Sequence, residues 1–97
     1  MNTTPIVTTT FTAAAQSIVL QGAIDLSVFI ASGGTGTIFL QVSFDNGSNW
    51  HTVENGTFAG YPITQRVGKL SRNASWRLLT DTGFTGSAVA RLEDLAL

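Results

Sequence analysis

Residues able to do chemistry are sparse in this chain. His51 is the sole histidine, there is no cysteine, and the carboxylates Asp25, Asp45, Glu54 and Asp81 are scattered along the sequence. A histidine can act as a base or metal ligand, but zinc needs three or four convergent donors and acid–base work needs a partner within hydrogen-bond reach. No acidic cluster accompanies His51 in sequence, so a surface or interface role is its expected one. Paired carboxylates could hydrolyse a glycoside, yet Asp45 and Asp81 sit in Asp45-Asn46-Gly47 and Asp81-Thr82-Gly83, where they read as turn formers. The serines lack a nucleophile-elbow pattern. Ser32-Gly33-Gly34-Thr35-Gly36 resembles a phosphate loop only in glycine content, because neither a Lys nor a helix follows. The expectation is a non-enzymatic protein without cofactor or metal.

Bulk composition narrows the partners. The chain has 97 residues, a net charge of −1 and only 11% charged residues, against about 25% in an average soluble domain. That balance argues against nucleic acid and against a polybasic membrane contact. Arg66, Lys69 and Arg72 hold three of the five basic residues, too few for phosphate-backbone binding but suited to acidic groups on a protein partner. No apolar run approaches the ~18 residues of a membrane span, and Met1–Pro5 lacks the basic start of a signal peptide. An unprocessed product made in the cytoplasm is therefore expected. So little charge predicts a neutral surface that is covered by copies of itself or by a larger partner, hence a homo-oligomer.

The elements that must position these residues are strands. Ile24, Leu26, Val28 and Ile30 alternate with Asp25, Ser27 and Phe29, and Ile38, Leu40, Val42 and Phe44 alternate with Thr37, Phe39, Gln41 and Ser43. The short Gly-rich link predicts that these two runs form an antiparallel hairpin. If so, Phe29 and Phe39, both on the polar phase, lie together as an apolar contact patch. Trp50–Val53 starts a further strand, Glu54-Asn55-Gly56 reads as a turn, and Thr57–Ile63 as a short or bulged strand. Residues 65–73 read as an exposed basic stretch, Ser75–Thr80 as a core strand, and Phe84–Leu92 as a closing strand interrupted by Gly86. Residues 1–16 form an extended arm or edge strand in which Ile6 and Val7 can add to a neighbouring sheet. Residues 17–97 form a single domain. No helical period is sustained, and turns recur every ~8–12 residues. The fold expected is all-β, a small antiparallel sandwich of jelly-roll or immunoglobulin-like type.

Two resemblances attach to these residues. Ser43-x-Asp45-x-Gly47-x-x-Trp50 is similar to the Asp-box of sialidases and other β-proteins, which implies a structural hairpin away from any catalytic centre. Here Asp45 is expected to organise the loop and Trp50 to anchor the core. Trp50, Trp76, Phe44 and Tyr61 would be the aromatics of a sugar platform, but Trp on an inward phase is more often core. More broadly, the run Gly34–Trp50, the triplet Trp76-Arg77-Leu78 and the closing Gly86–Leu92 resemble small tailed-bacteriophage virion proteins. That resemblance implies a capsid cement or decoration protein in the virion, with the major capsid protein or other virion proteins as partners. The alternatives are a neck, tail or baseplate module, or a carbohydrate-binding sandwich for host recognition.

Overall fold

The computed structural model describes residues 6–22, 25–31, 34–59, 63–69 and 74–95. Ten strands run β1 (Ile6–Phe11), β2 (Ser17–Gln21), β3 (Asp25–Ile30), β4 (Gly34–Thr35), β5 (Ile38–Ser43), β6 (His51–Phe58), β7 (Ile63–Lys69), β8 (Ser75–Thr80), β9 (Thr85–Gly86) and β10 (Ala88–Asp94). Eight of them build two four-stranded sheets, ordered β1-β10-β3-β7 and β2-β8-β5-β6, and β4 pairs with β9. Every pairing is antiparallel. The nested pairs β1·β10, β2·β8, β3·β7 and β5·β6, wrapped into two sheets, are the connectivity of a jelly roll. The expected all-β sandwich is present, in the first of its two anticipated forms.

Alternation builds the core. Leu26, Val28 and Ile30 from the first sheet face Ile38, Leu40 and Leu78 from the second, all fully buried, with Phe11, Phe58, Phe84 and Leu92 filling in around them. Fully burying a side chain of this size contributes about 1.5–3 kcal/mol, so this layer supplies the main stabilisation. Edge strand β1 belongs to it. Phe11 is buried and Val7 packs on the core, so residues 6–11 are the edge strand of their own sheet and not a free arm.

Three sequence expectations are corrected by this topology. First, β3 and β5 do not form a hairpin; they lie in different sheets. The Gly-rich link is a crossover clasped by the segment after β8: the Asp81 N–H donates to the Thr37 carbonyl at 2.9 Å. Gly36 adopts φ +114°, and a Cβ there would lie 2.8 Å from the Phe84 Cα. Second, Glu54-Asn55-Gly56 is not a turn. It is a bulge within β6, where Thr52 opposes Gln41 and Thr57 opposes Phe39, with Asn55 at φ 59° absorbing the extra length. Third, residues 65–69 are not an exposed loop but part of β7, paired with β3. Gln65 at an inward position, opposite Val28, breaks the apolar alternation that would reveal this strand. Residues 70–73 lie outside the described residues.

Candidate docking face on the second sheet

Ser43 ends β5 with its side chain buried, and the Asp45 loop is built on its hydroxyl. Ser43 Oγ donates to Asp45 Oδ1 at 2.7 Å and accepts the Gly47 N–H at 2.8 Å. Asp45 in turn accepts the Asn49 backbone N–H at 2.9 Å and the Asn49 amide at 2.7 Å. These hydrogen bonds, the Asn49 side chain first and the Ser43 hydroxyl second, hold the Asp45 carboxyl down from its usual range to about 2. Asn46 at φ 59° and Gly47 at φ 88° close the loop. Asp45 therefore organises the loop, as expected from the sequence.

Trp50 leaves this loop outward. It is half-buried, with its indole edge against Gly47, and the Arg77 guanidinium stands 4.3 Å over its ring. Its role as a core anchor is therefore corrected. The chain leaves the strand pleat after Ser43, so the inward phase counted along β5 does not carry through the loop. Phe44 shows the same effect: expected inward, it is 68% exposed. Trp76 is the buried indole, 4% exposed, so the two Trp cannot share a sugar platform. Tyr61 lies outside the described residues.

Arg77 links Trp50 to the rest of the face. Its Nε donates to Gln41 Oε1 at 2.8 Å, and Gln41 Nε2 donates to Thr52 Oγ1 at 3.1 Å. The register places Val19, Arg77, Gln41 and Thr52 in one row across β2, β8, β5 and β6. The next row is Ser17, Leu79, Phe39 and Thr57. Burial pulls the Arg77 pKa down, and among the described residues no carboxylate pairs with it. Among the described residues, this outer face therefore combines half-buried apolar groups (Phe39, Leu79), an exposed Val19, hydroxyls and one partly buried cation.

The remaining predicted residues fall elsewhere. Phe29 lies on the outer face of the first sheet, opposite Thr64 and Arg91, with the Arg91 guanidinium 5.6 Å from its ring. The shared Phe29/Phe39 patch does not exist, because the crossover puts one Phe on each face of the sandwich. Ile6 is exposed, whereas Val7 faces inward and is no contact residue. Arg66 is bound to Asp25, Nε donating to Oδ1 at 2.9 Å and Nη2 pairing with Oδ2, an interaction that raises the Arg66 pKa. The Lys69 backbone stands opposite Asp25, and Arg72 lies outside the described residues. His51 is exposed at the start of β6, and no metal-ligating cluster occurs among the described residues.

Sequence reasoning missed Gln41, Leu79 and the stacking role of Arg77. The signal available was a cation at the outward phase of an apolar strand, but its partner Trp50 lies 27 positions away and meets it only through the β5·β8 pairing. No family model matches this chain, and searches of curated proteins and solved structures find no match.

Proposed function

We propose that this protein is a non-enzymatic structural component of a tailed-phage virion, a capsid decoration or cement protein that docks through the outer face of its second sheet. The observation that carries this reading is the Trp50–Arg77 contact. It joins the Ser43–Trp50 loop to the Trp76-Arg77-Leu78 triplet, two of the segments that resemble virion proteins, on one sparsely charged, partly apolar face. Such a face suits a protein partner: apolar Phe39 and Leu79 supply area, and Arg77 supplies a cation held in place by its own neighbours. Stabilisation of the head would follow from mass action, since a ligand that binds only the assembled lattice favours it in proportion to occupancy.

Co-sedimentation of the purified protein with heads of the same virus tests the proposal. Wild type is expected to pellet with heads, and Phe39→Asp, folded by circular dichroism, to remain in the supernatant. Failure of the wild type to bind heads overturns the reading. Binding to isolated tails but not to heads would replace decoration by a tail or neck role.

A further inference from the structure

The four strands that end the two sheets differ in a way that points to a second copy of this chain. On one side of the sandwich, β6 and β7 carry the usual protections of a sheet edge: the Val53–Gly56 bulge and Glu54 on β6, and Arg66 on β7. On the other side β1 and β2 lie beside each other. Their sequences, Ile6-Val-Thr-Thr-Thr-Phe11 and Ser17-Ile-Val-Leu-Gln21, contain no charge and no proline. Their registers run without shift against β10 and β8. Among the described residues, nothing pairs with their outer edges. Ile6 and Val19, both beside that edge, are 48% and 44% exposed. A long, regular, neutral edge is a template for strand pairing.

From these observations we infer that the β1/β2 side is a self-association interface, at which two copies pair edge to edge about a two-fold axis perpendicular to the sheets. This inference is independent of the virion reading. The geometry is self-consistent. A perpendicular axis makes each edge strand antiparallel to its own copy and keeps the inner faces inner, so Val7, Phe11, Ile18 and Leu20 stay in a core that continues across the junction. The two sheets pack with an angle of roughly 30°, so one axis serves both edges over their short length. A register centred on Thr8 in β1 and Val19 in β2 sets each of these residues opposite its counterpart in the second copy. Both sheets then become eight-stranded.

The size of the contact sets its class. Six residues at ~3.3 Å each give an edge about 20 Å long, and the shortest extent of the molecule, 20 Å, gives its depth. The product is about 400 Å² per copy, about 800 Å² in all, short of the ~1,200 Å² at which stable complexes begin. The dimer is therefore a weak one in isolation, in the micromolar range or above, and would be strengthened wherever a lattice concentrates the copies.

Sedimentation velocity of the purified chain between about 1 μM and about 1 mM, a range that brackets weak association, tests this directly. Wild type is expected to shift from monomer to dimer. Val19→Lys and Val19→Glu, each made separately at an exposed site, are expected to stay monomeric where the wild type dimerises, because like charges meet at the axis. An equimolar mixture of the two should restore the dimer, which misfolding could not do. Thr8→Lys and Thr8→Glu should behave the same way, keeping the test open should the Val19 variants fold poorly. Thr57→Lys, on the opposite edge, should dimerise like wild type. A wild type that stays monomeric throughout overturns the inference. So does a Val19→Lys variant that still dimerises, a mixture that fails to restore the dimer, or loss of the dimer on Thr57→Lys.

Discussion

Replacing Ser43 by Ala removes one oxygen and isolates the link between the Asp45 loop and the sheet. That oxygen donates to Asp45 Oδ1 at 2.7 Å and accepts two backbone N–H groups, a short one from Gly47 at 2.8 Å and a long one from Asp45 at 3.3 Å. Alanine fits the space without clash, so the cost is the orphaned Gly47 N–H together with the lost hydroxyl bond to Asp45. Leaving a donor unpaired costs about 1–3 kcal/mol. Gly47 is half-buried and water reaches the loop, which places the expected loss in the lower part, about 1–2 kcal/mol. With a urea m-value of about 1–1.5 kcal/mol/M for a chain of this size, the unfolding midpoint falls by about 1 M. A second signal follows from Trp50, whose indole edge rests on Gly47. Loosening the loop should raise acrylamide quenching of the folded variant, since buried Trp76 is indifferent to the change. A midpoint within about 0.2 M of wild type, with no change in quenching, would show that the loop stands without Ser43 and would refute the reasoning.

Asp45 and Gly36 give two further tests. The Asp45 carboxyl titrates at about 2 in the folded protein, below the ~3.9 of an unfolded chain, so its stabilising contribution is complete above about pH 4 and lost as pH falls through about 2. Melting curves across that window should show a loss of stability that Asp45→Asn removes, and carboxyl NMR should follow the same titration. Gly36→Ala combines a left-handed φ of +114° with a Cβ 2.8 Å from the Phe84 backbone. It should cost more than about 1 kcal/mol, read as a lower melting temperature, and an unchanged melting temperature would mean that the crossover clasp yields.

The sequence revealed strands well where one face was uniformly apolar. Leu26, Val28 and Ile30, and Ile38, Leu40 and Val42, occupy the inward phase that their alternation predicts. It did not reveal pairing. Nothing local tells β3 and β5 that they belong to different sheets, because the information lies in Gly36 and the clasp from residues 81–84, a contact across some 45 positions. β7 was illegible for another reason: the sheet edge tolerates Gln65 inward and Arg66 outward, so its alternation lacks contrast. The candidate face inherited both difficulties. The outward place of Phe39 follows from its phase alone, whereas the phase of β5 does not carry to Trp50, because the loop between them resets it. Arg77 was visible as a residue, but its role depends on which strand lies next to β8.

The charge distribution connects the unusual composition to the two proposed surfaces. With 11% charged residues, the fold cannot spread charge evenly, and it does not. The first sheet holds the Arg66–Asp25 and Arg91–Glu93 pairs, whose charges offset each other locally and leave that face hydrated. The outer rows of the second sheet hold only Arg77, spent on Trp50 and Gln41, and edge strands β1 and β2 hold none. Surface charges keep sheets apart, and their absence is costly for a protein that must stay monomeric at high concentration. Among the described residues, the ion pairs lie on one face, the other face carries little charge, and one side carries none, a distribution that accords with the two contacts proposed above. The proposed edge contact would join like to like through backbone hydrogen bonds that require little sequence. The other proposed contact, on the second sheet, would read a partner through Phe39, Leu79 and Arg77. Edge pairing extends the second sheet in its own plane, so two copies joined by β2 present their docking faces in the same direction. A weak dimer of this geometry would then bind a repeating surface bivalently, gaining by proximity what each contact lacks in area.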